Sequence, residues 1–251
     1  MARRKFKEIP EEDLQELNNF LEKTNKEESV LLSTLRVNIK CKTENQKHLI
    51  NSIKQNEITI CSGLPGTGKT FLSCAQALKL LKSKNPAKYK RIVLIKSVTT
   101  LKNEEIGFLK GSLEEKMEPY IDSFMDNFRK LIGKARTHKL RSVGLIEVLP
   151  IAFARGRSID NSIIIIDEAQ NISLDNIRTL MTRIGDDSKM IILGDVKQKD
   201  IRNKNDSALE VVLEQFKDIE GFGCVELRNP EDVVRNPIIK LIEEVFDKLE
   251  K

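Results

Sequence analysis

The stretch ITICSGLPGTGKT, residues 58–70, decides the reading of this chain. Its first part, Ile58–Cys61, is apolar and β-branched, as a strand requires. A glycine-rich turn follows, and Thr70–Lys82, rich in Ala and Leu, reads as a helix. Between them, Gly63-Leu64-Pro65-Gly66-Thr67-Gly68-Lys69-Thr70 fits the pattern GxxxxGK(S/T). Glycines there let backbone N–H groups turn toward phosphate oxygens without a Cβ in the way. The helix that follows points its positive end at the same oxygens. Lys69 can reach the β- and γ-phosphates of a nucleotide, and the Thr70 hydroxyl can ligate Mg²⁺. Phe71, next along the helix, completes the nucleotide-binding set.

Two more strand ends belong with this loop. Ile163–Ile166 runs into Asp167 and Glu168. Four consecutive isoleucines suit a central parallel strand covered on both faces, and ligands on such sheets gather at the carboxyl ends of strands. Asp167 is therefore expected beside the loop as a second holder of Mg²⁺, and Glu168 as the base that polarises the attacking water. Alone, an Asp-Glu pair closing an apolar strand is an ordinary polar strand end; joined to the phosphate loop it reads as catalytic. The glutamate further implies an ATPase whose glutamate strand lies directly beside the phosphate-loop strand. The third end, Leu193-Gly194-Asp195-Val196-Lys197-Gln198, is alone an ordinary Gly-Asp turn; facing the same pocket, it offers Gln198 as a sensor bonded to the γ-phosphate or the attacking water and Gly194 as a point of close backbone approach.

Outward from these motifs the chain alternates. Strands are expected at Arg91–Lys96, Leu145–Leu149, Ser162–Ile166, Met190–Leu193 and Gly223–Leu227. Helices are expected at Asn45–Ile53, Leu174–Ile184, Ser207–Gln215 and Asn236–Leu249. That pattern is α/β, a parallel sheet flanked by helices. Leu109, Leu113, Met117, Tyr120, Ile121, Phe124, Phe128 and Leu131 form a helical stripe interrupted at Pro119. It reads as a helical insertion with a basic end, Arg129 to Arg141. Residues 1–8 read as a loose tail and Glu11–Glu28 as a solvated helix with Leu14, Leu17, Phe20 and Leu21 on one side. The expected organisation is an N-terminal helical extension over residues 1–40 and one ATPase domain over 41–251.

Composition narrows the class. The 251 residues are 39% hydrophobic and 32% charged, with a net charge of +5, a mild excess that permits a nucleic-acid partner without requiring one. No run approaches the roughly 20 apolar residues of a membrane span, and the basic, then acidic N-terminus lacks the apolar core of a secretory signal. Cys41, Cys61, Cys74 and Cys224 fit neither a CxxC pair nor a disulfide framework. Reduced thiols in a cytoplasmic protein, away from membranes, are the expectation. Neither His48 nor His138 stands at zinc-ligand spacing, so a metal is expected to arrive with the nucleotide.

Taken together, GLPGTGKT (63–70), IGFLKGSLEEKMEPY (106–120), IEVLPIAFARGRSIDNSIIIIDEAQN (146–171), Met181–Gly185, LGDVKQ (193–198) and EDVVRNP (231–237), preceded by Asn45-Gln46, resemble the PhoH family of P-loop ATPases, relatives of superfamily 1 helicases. The resemblance runs in order from about residue 45 to the C-terminus. It implies a RecA-like core and ATP-driven binding or unwinding of nucleic acid, with single-stranded RNA as the expected partner. It also implies that Gln46 reads adenine, and that one of Arg155, Arg157 and Arg235 is an arginine finger, a device that supplies roughly 10³ to 10⁵ in rate. The chain departs from the family at Lys96-Ser97, where Arg-Pro is usual, and at Asn236, where histidine is usual; Arg228 is an additional candidate cation.

Helicases of this broad type place ATP between two RecA-like domains, and this sequence carries one phosphate loop. A neighbouring copy is then the expected source of the second wall, giving a homo-oligomer, by analogy a hexameric ring. The alternatives to a nucleic-acid-stimulated ATPase are an ATP-switched binding module without unwinding and a non-hydrolysing sensor; intact Lys69, Asp167 and Glu168 speak against the sensor.

Overall fold

The structure, a computed structural model, describes residues 11–83, 88–96, 113–198 and 208–236, together with Ile238, Leu241, Ile242 and Val245. The tail at residues 1–8, Leu109, Ser97 and most of the expected C-terminal helix lie outside the described residues. So do the side chains of Leu14, Leu17, Phe20, Leu21, Leu113, Met117 and Tyr120. The chain divides into two compact units, Met1–Arg36 and Val37–Lys251.

In the first unit, helix α1 spans Glu11–Thr34, longer than the expected Glu11–Glu28 because Leu31 and Leu32 continue the helix-forming run. It stops where Ser33 and Thr34 turn their hydroxyls onto the carbonyls of Val30 and Leu31, satisfying acceptors of the last turn.

The second unit is built on six strands among the described residues: β1 (Ile58–Gly63), β2 (Arg91–Lys96), β3 (Ile146–Val148), β4 (Ser162–Asp167), β5 (Lys189–Gly194) and β6 (Phe222–Leu227). All pair in parallel, in the order β3-β2-β4-β5-β1-β6. The helices are α2 (Glu44–Gln55), α3 (Lys69–Leu81), α4 (Leu113–Ile132), α5 (Lys134–Ser142), α6 (Ile151–Ala154), α7 (Leu174–Met181) and α8 (Ala208–Gln215). Ile163 to Ile166 are all 0% exposed, as a strand covered on both faces demands. Ile60, Ile164, Ile166 and Ile192 pack with Ile177, Leu180, Leu209 and Val212 of α7 and α8. The alternate strand positions face the other way, where α2, α3 and α4 pack against the sheet. This is the expected RecA-like α/β fold.

Two expectations need correction. The glutamate strand β4 is not beside the phosphate-loop strand: β5 pairs with both, Ile58 opposite Met190 and Ile163 opposite Lys189. Adjacency is unnecessary because α3 leaves the loop and crosses over β5 to pack on β4 and β2, carrying the loop's last residues to the β4 end. Nor does Pro119 interrupt the insertion: α4 runs unbroken through it. An interior proline costs about 3 kcal/mol. Burial of Ile121, Phe124, Met125, Phe128 and Ile132, at about 1.5–3 kcal/mol each, exceeds that. Among the described residues, no helix is long and apolar enough to cross a membrane. All four cysteines are free thiols.

Candidate active site

The phosphate loop is braced from outside before any ligand enters. Gly63 lies so close to β6 that a Cβ would sit 2.8 Å from both Leu227 Cβ and the Leu227 carbonyl oxygen, so the first glycine serves strand packing. The Leu64 N–H donates to that carbonyl (3.0 Å), and the Gly66 carbonyl accepts from the Val234 N–H (3.1 Å). Inside the loop, Thr67 Oγ1 donates to the Leu64 carbonyl at 2.8 Å. Gly66 and Gly68 adopt φ of 77° and 83°, which a side chain would oppose. Gly68 leads into α3 with no side-chain cap and no acidic residue in the first turn, so the helix start is clear for an anion. Lys69 Nζ is folded over the loop, donating to the carbonyls of Gly63 (2.5 Å) and Leu64 (3.0 Å).

The β4 end meets α3 here. Thr70 Oγ1 donates to Asp167 Oδ2 at 3.1 Å, joining residues far apart in the chain. Asp167 is 6% exposed. Burial, then the adjacent Glu168 charge, pushes its carboxyl up to about 6, although the Glu168 N–H, Lys96 and the Thr70 hydroxyl favour the anion. Lys96 stands opposite Asp167 at the end of β2 and donates to Ser123 of α4. Glu168 has φ 57°, a left-handed backbone uncommon outside glycine, and opens the short 3₁₀ turn Ala169–Asn171.

At the β5 end, Gly194 has no room for a Cβ, which would sit 2.6 Å from Gln170 Oε1 and 2.6 Å from Leu209 Cδ2. Its close neighbour is therefore the Gln170 side chain, a residue the sequence offered inside DEAQ without a role. Gln170 Oε1 accepts the Asp195 N–H (3.0 Å) and Gln170 Nε2 donates to Glu168 Oε2 (2.8 Å). Asp195 is buried; its Oδ1 accepts the Lys197 N–H, and its Oδ2 has no hydrogen-bond partner. Gln198 lies on the turn after β5, exposed, its N–H bonded to the Asp195 carbonyl.

A cleft of about 510 Å³ opens on the loop, lined by Gln46, Gly66, Gly68, Lys69, Thr70, Phe71 and Arg235 among the expected residues. Lys40, Lys42, Leu72, Val234, and Ser123, Asp126, Asn127 and Lys130 of α4 complete the wall. Gln46 is 2% exposed: Oε1 accepts the Lys42 N–H (2.7 Å) and Nε2 donates to the Thr67 carbonyl (2.9 Å). One lone pair and one N–H of the amide stay available for a base edge. Asp232, 0% exposed, ties this wall together. It accepts from Thr43 Oγ1 and Asn45 Nδ2 (2.8 Å each) and from the Asn229 N–H (3.2 Å). Asp232 therefore fixes the N-cap of α2, and with it Gln46, against the segment that leads to Arg235. Its signal was its place in EDVVRNP.

The other arginines lie elsewhere. Arg155 donates to Asn176 Oδ1 (3.0 Å), and Arg157 pairs with Glu147 of β3 (3.4 Å), which also binds Arg91 (3.0 Å). Glu147 sits opposite Val93, well below the strand end marked by Lys96. Arg228 pairs with Glu226 at 3.2 Å.

The sequence is similar to known proteins over most of its length. The PhoH-like protein of Bacillus subtilis is 36% identical over 222 residues, covering 88% of this chain and 68% of that protein. The PhoH-like protein of a Synechocystis strain is 36% identical over 237 residues, covering 94% and 69%. Protein PhoH of Escherichia coli K12 is 32% identical over 202 residues, covering 80% and 56%. The family model for PhoH-like proteins matches residues 38–247, so the chain belongs to the PhoH-like protein family.

Proposed function

We propose that this chain hydrolyses ATP and couples the hydrolysis to binding or unwinding nucleic acid, with single-stranded RNA as the partner. The observation that carries the reading is the 3.1 Å contact between Thr70 and Asp167, which brings the hydroxyl that follows Lys69 to the β4 carboxylate. Loop N–H groups and the start of α3 would hold the phosphates, and Lys69 would exchange the Gly63 and Leu64 carbonyls for phosphate oxygens. Glu168 would take the proton of the attacking water. The donor set fits a hard cation: a hydroxyl and a buried carboxylate whose charge has no full partner. Mg²⁺, when bound, supplies charge neutralisation on the phosphate oxygens. Gln46 would read adenine with the free half of its amide, and Gln198 would sense the γ-phosphate.

Arg235 lines the chain's own cleft, whereas Arg155 and Arg157 do not. This division favours a finger supplied by a second copy in a homo-oligomeric ring, hexameric by analogy with single-domain RecA-like motors. ATP turnover measured with RNA, with single-stranded DNA and with neither tests the coupling, and a strand-displacement assay tests unwinding. Stimulation by RNA with displacement is expected. Hydrolysis with binding and no displacement would leave the ATP-switched binding module, and no hydrolysis at all would overturn the proposal.

A further inference from the structure

We propose that Gln170 is the positioning residue for Glu168, an inference that rests on the hydrolysis proposed above. The amide is 2% exposed and both of its ends are in use. Its orientation is fixed by chemistry: the Asp195 N–H can only donate, so Oε1 must face it and Nε2 must face the Glu168 carboxylate. Glu168 stands on a left-handed backbone at a strand end, partly exposed, with a side chain that has three rotatable bonds. The 2.8 Å bond to Oε2 holds that side chain and leaves Oε1 for the water. The same amide fastens Glu168 to the end of β5, so the base is registered against the strand whose following turn carries Gln198. Gly194 supports the assignment from the other side, since a methyl there would lie 2.6 Å from Gln170 Oε1.

The test uses two variants of the full chain. Gln170→Met keeps the length and removes both bonds. Gln170→Glu keeps an acceptor for the Asp195 N–H and removes the donor to Glu168. ATP kcat, KM and nucleotide binding are measured in the native background and, by single turnover, in Glu168→Gln. A misplaced catalytic group costs roughly a hundredfold, so both variants should lose roughly ten- to a hundredfold in kcat. KM should move by less than about twofold, and the Glu168→Gln background should show little further loss. Gln170→Glu sets a carboxylate beside Glu168 and the buried Asp195 and should melt below the native chain, so both variants are compared at a temperature where they are folded, as nucleotide binding at the native level shows. A loss of equal size in both backgrounds, a loss confined to binding, or a rise in turnover would overturn the assignment. Full turnover by Glu168→Gln alone would instead remove the base assignment, and the role of Gln170 with it.

Discussion

The rim formed by β1, β4 and β5 and the flank carrying Arg155 and Arg157 are built on opposite principles. At the rim and at the start of α2 beside it, polar groups are buried or half-buried and interlocked: Thr70 with Asp167, Gln170 with Glu168 and Asp195, Gln46 with Thr67, Asp232 with Thr43 and Asn45. On the flank, Arg155 and Arg157 each make a single exposed contact, with Asn176 and Glu147. Exposed pairs of that kind are worth about 0.2–1 kcal/mol. The rim ties its side chains to one another around the loop, whereas the flank holds Arg155 and Arg157 by weak contacts with Asn176 and Glu147.

The sharpest way to break that contrast is to remove the cations. One of Arg155, Arg157 and Arg235, changed to Ala, should lower ATP turnover by roughly 10³- to 10⁵-fold. If it is Arg155 or Arg157, mixing the variant with Lys69→Ala chains should restore part of the activity, since each supplies what the other lacks. If it is Arg235, no mixture should recover, and the contrast between rim and flank loses its meaning.

A smaller effect tests the rim as architecture. Asp232→Ala leaves Thr43, Asn45 and the Asn229 N–H without their buried acceptor, and should destabilise the chain by about 2–4 kcal/mol in urea unfolding. Acidity tests it again. The folded Asp167 carboxyl titrates near 6 against an ordinary 3.8. Its contribution to stability is complete below the unfolded value and is lost as pH rises through about 6. The nucleotide-free chain should therefore gain up to about 3 kcal/mol from this group as pH falls from 7 to 4. Binding of Mg²⁺·ATP should weaken over the same range, because the metal needs the anion; melts with and without Mg²⁺·ATP at several pH values show both slopes. Smallest of all, Arg155→Ala and Arg157→Ala should each change unfolding free energy by less than about 1 kcal/mol.

Much of this was legible in residue order. GLPGTGKT, the isoleucine run into Asp167 and the GDVKQ turn are local patterns, and β2 runs from Arg91 to Lys96 as its apolar run Ile92–Ile95 indicates. What escaped was set by contacts distant in sequence. Nothing local says that β5 slots between β1 and β4, that Gly63 answers to Leu227, or that Asp232 reaches back to Thr43. Gln170 was visible as a letter in DEAQ, but its work depends on where the Asp195 N–H arrives. Pro119 breaks a helix by local propensity, but the buried face of α4 outweighs it.

The central claim is that Lys69, Thr70 and Asp167 converge on one metal-bound triphosphate. Titration of ATP into the native chain, Lys69→Ala and Asp167→Ala, each with and without Mn²⁺ as a spectroscopic substitute for Mg²⁺, tests it directly. Lys69→Ala should lose ATP affinity under both conditions, and Asp167→Ala should lose only the part that Mn²⁺ adds. An Asp167→Ala chain that binds ATP with the native dependence on Mn²⁺ would contradict the account.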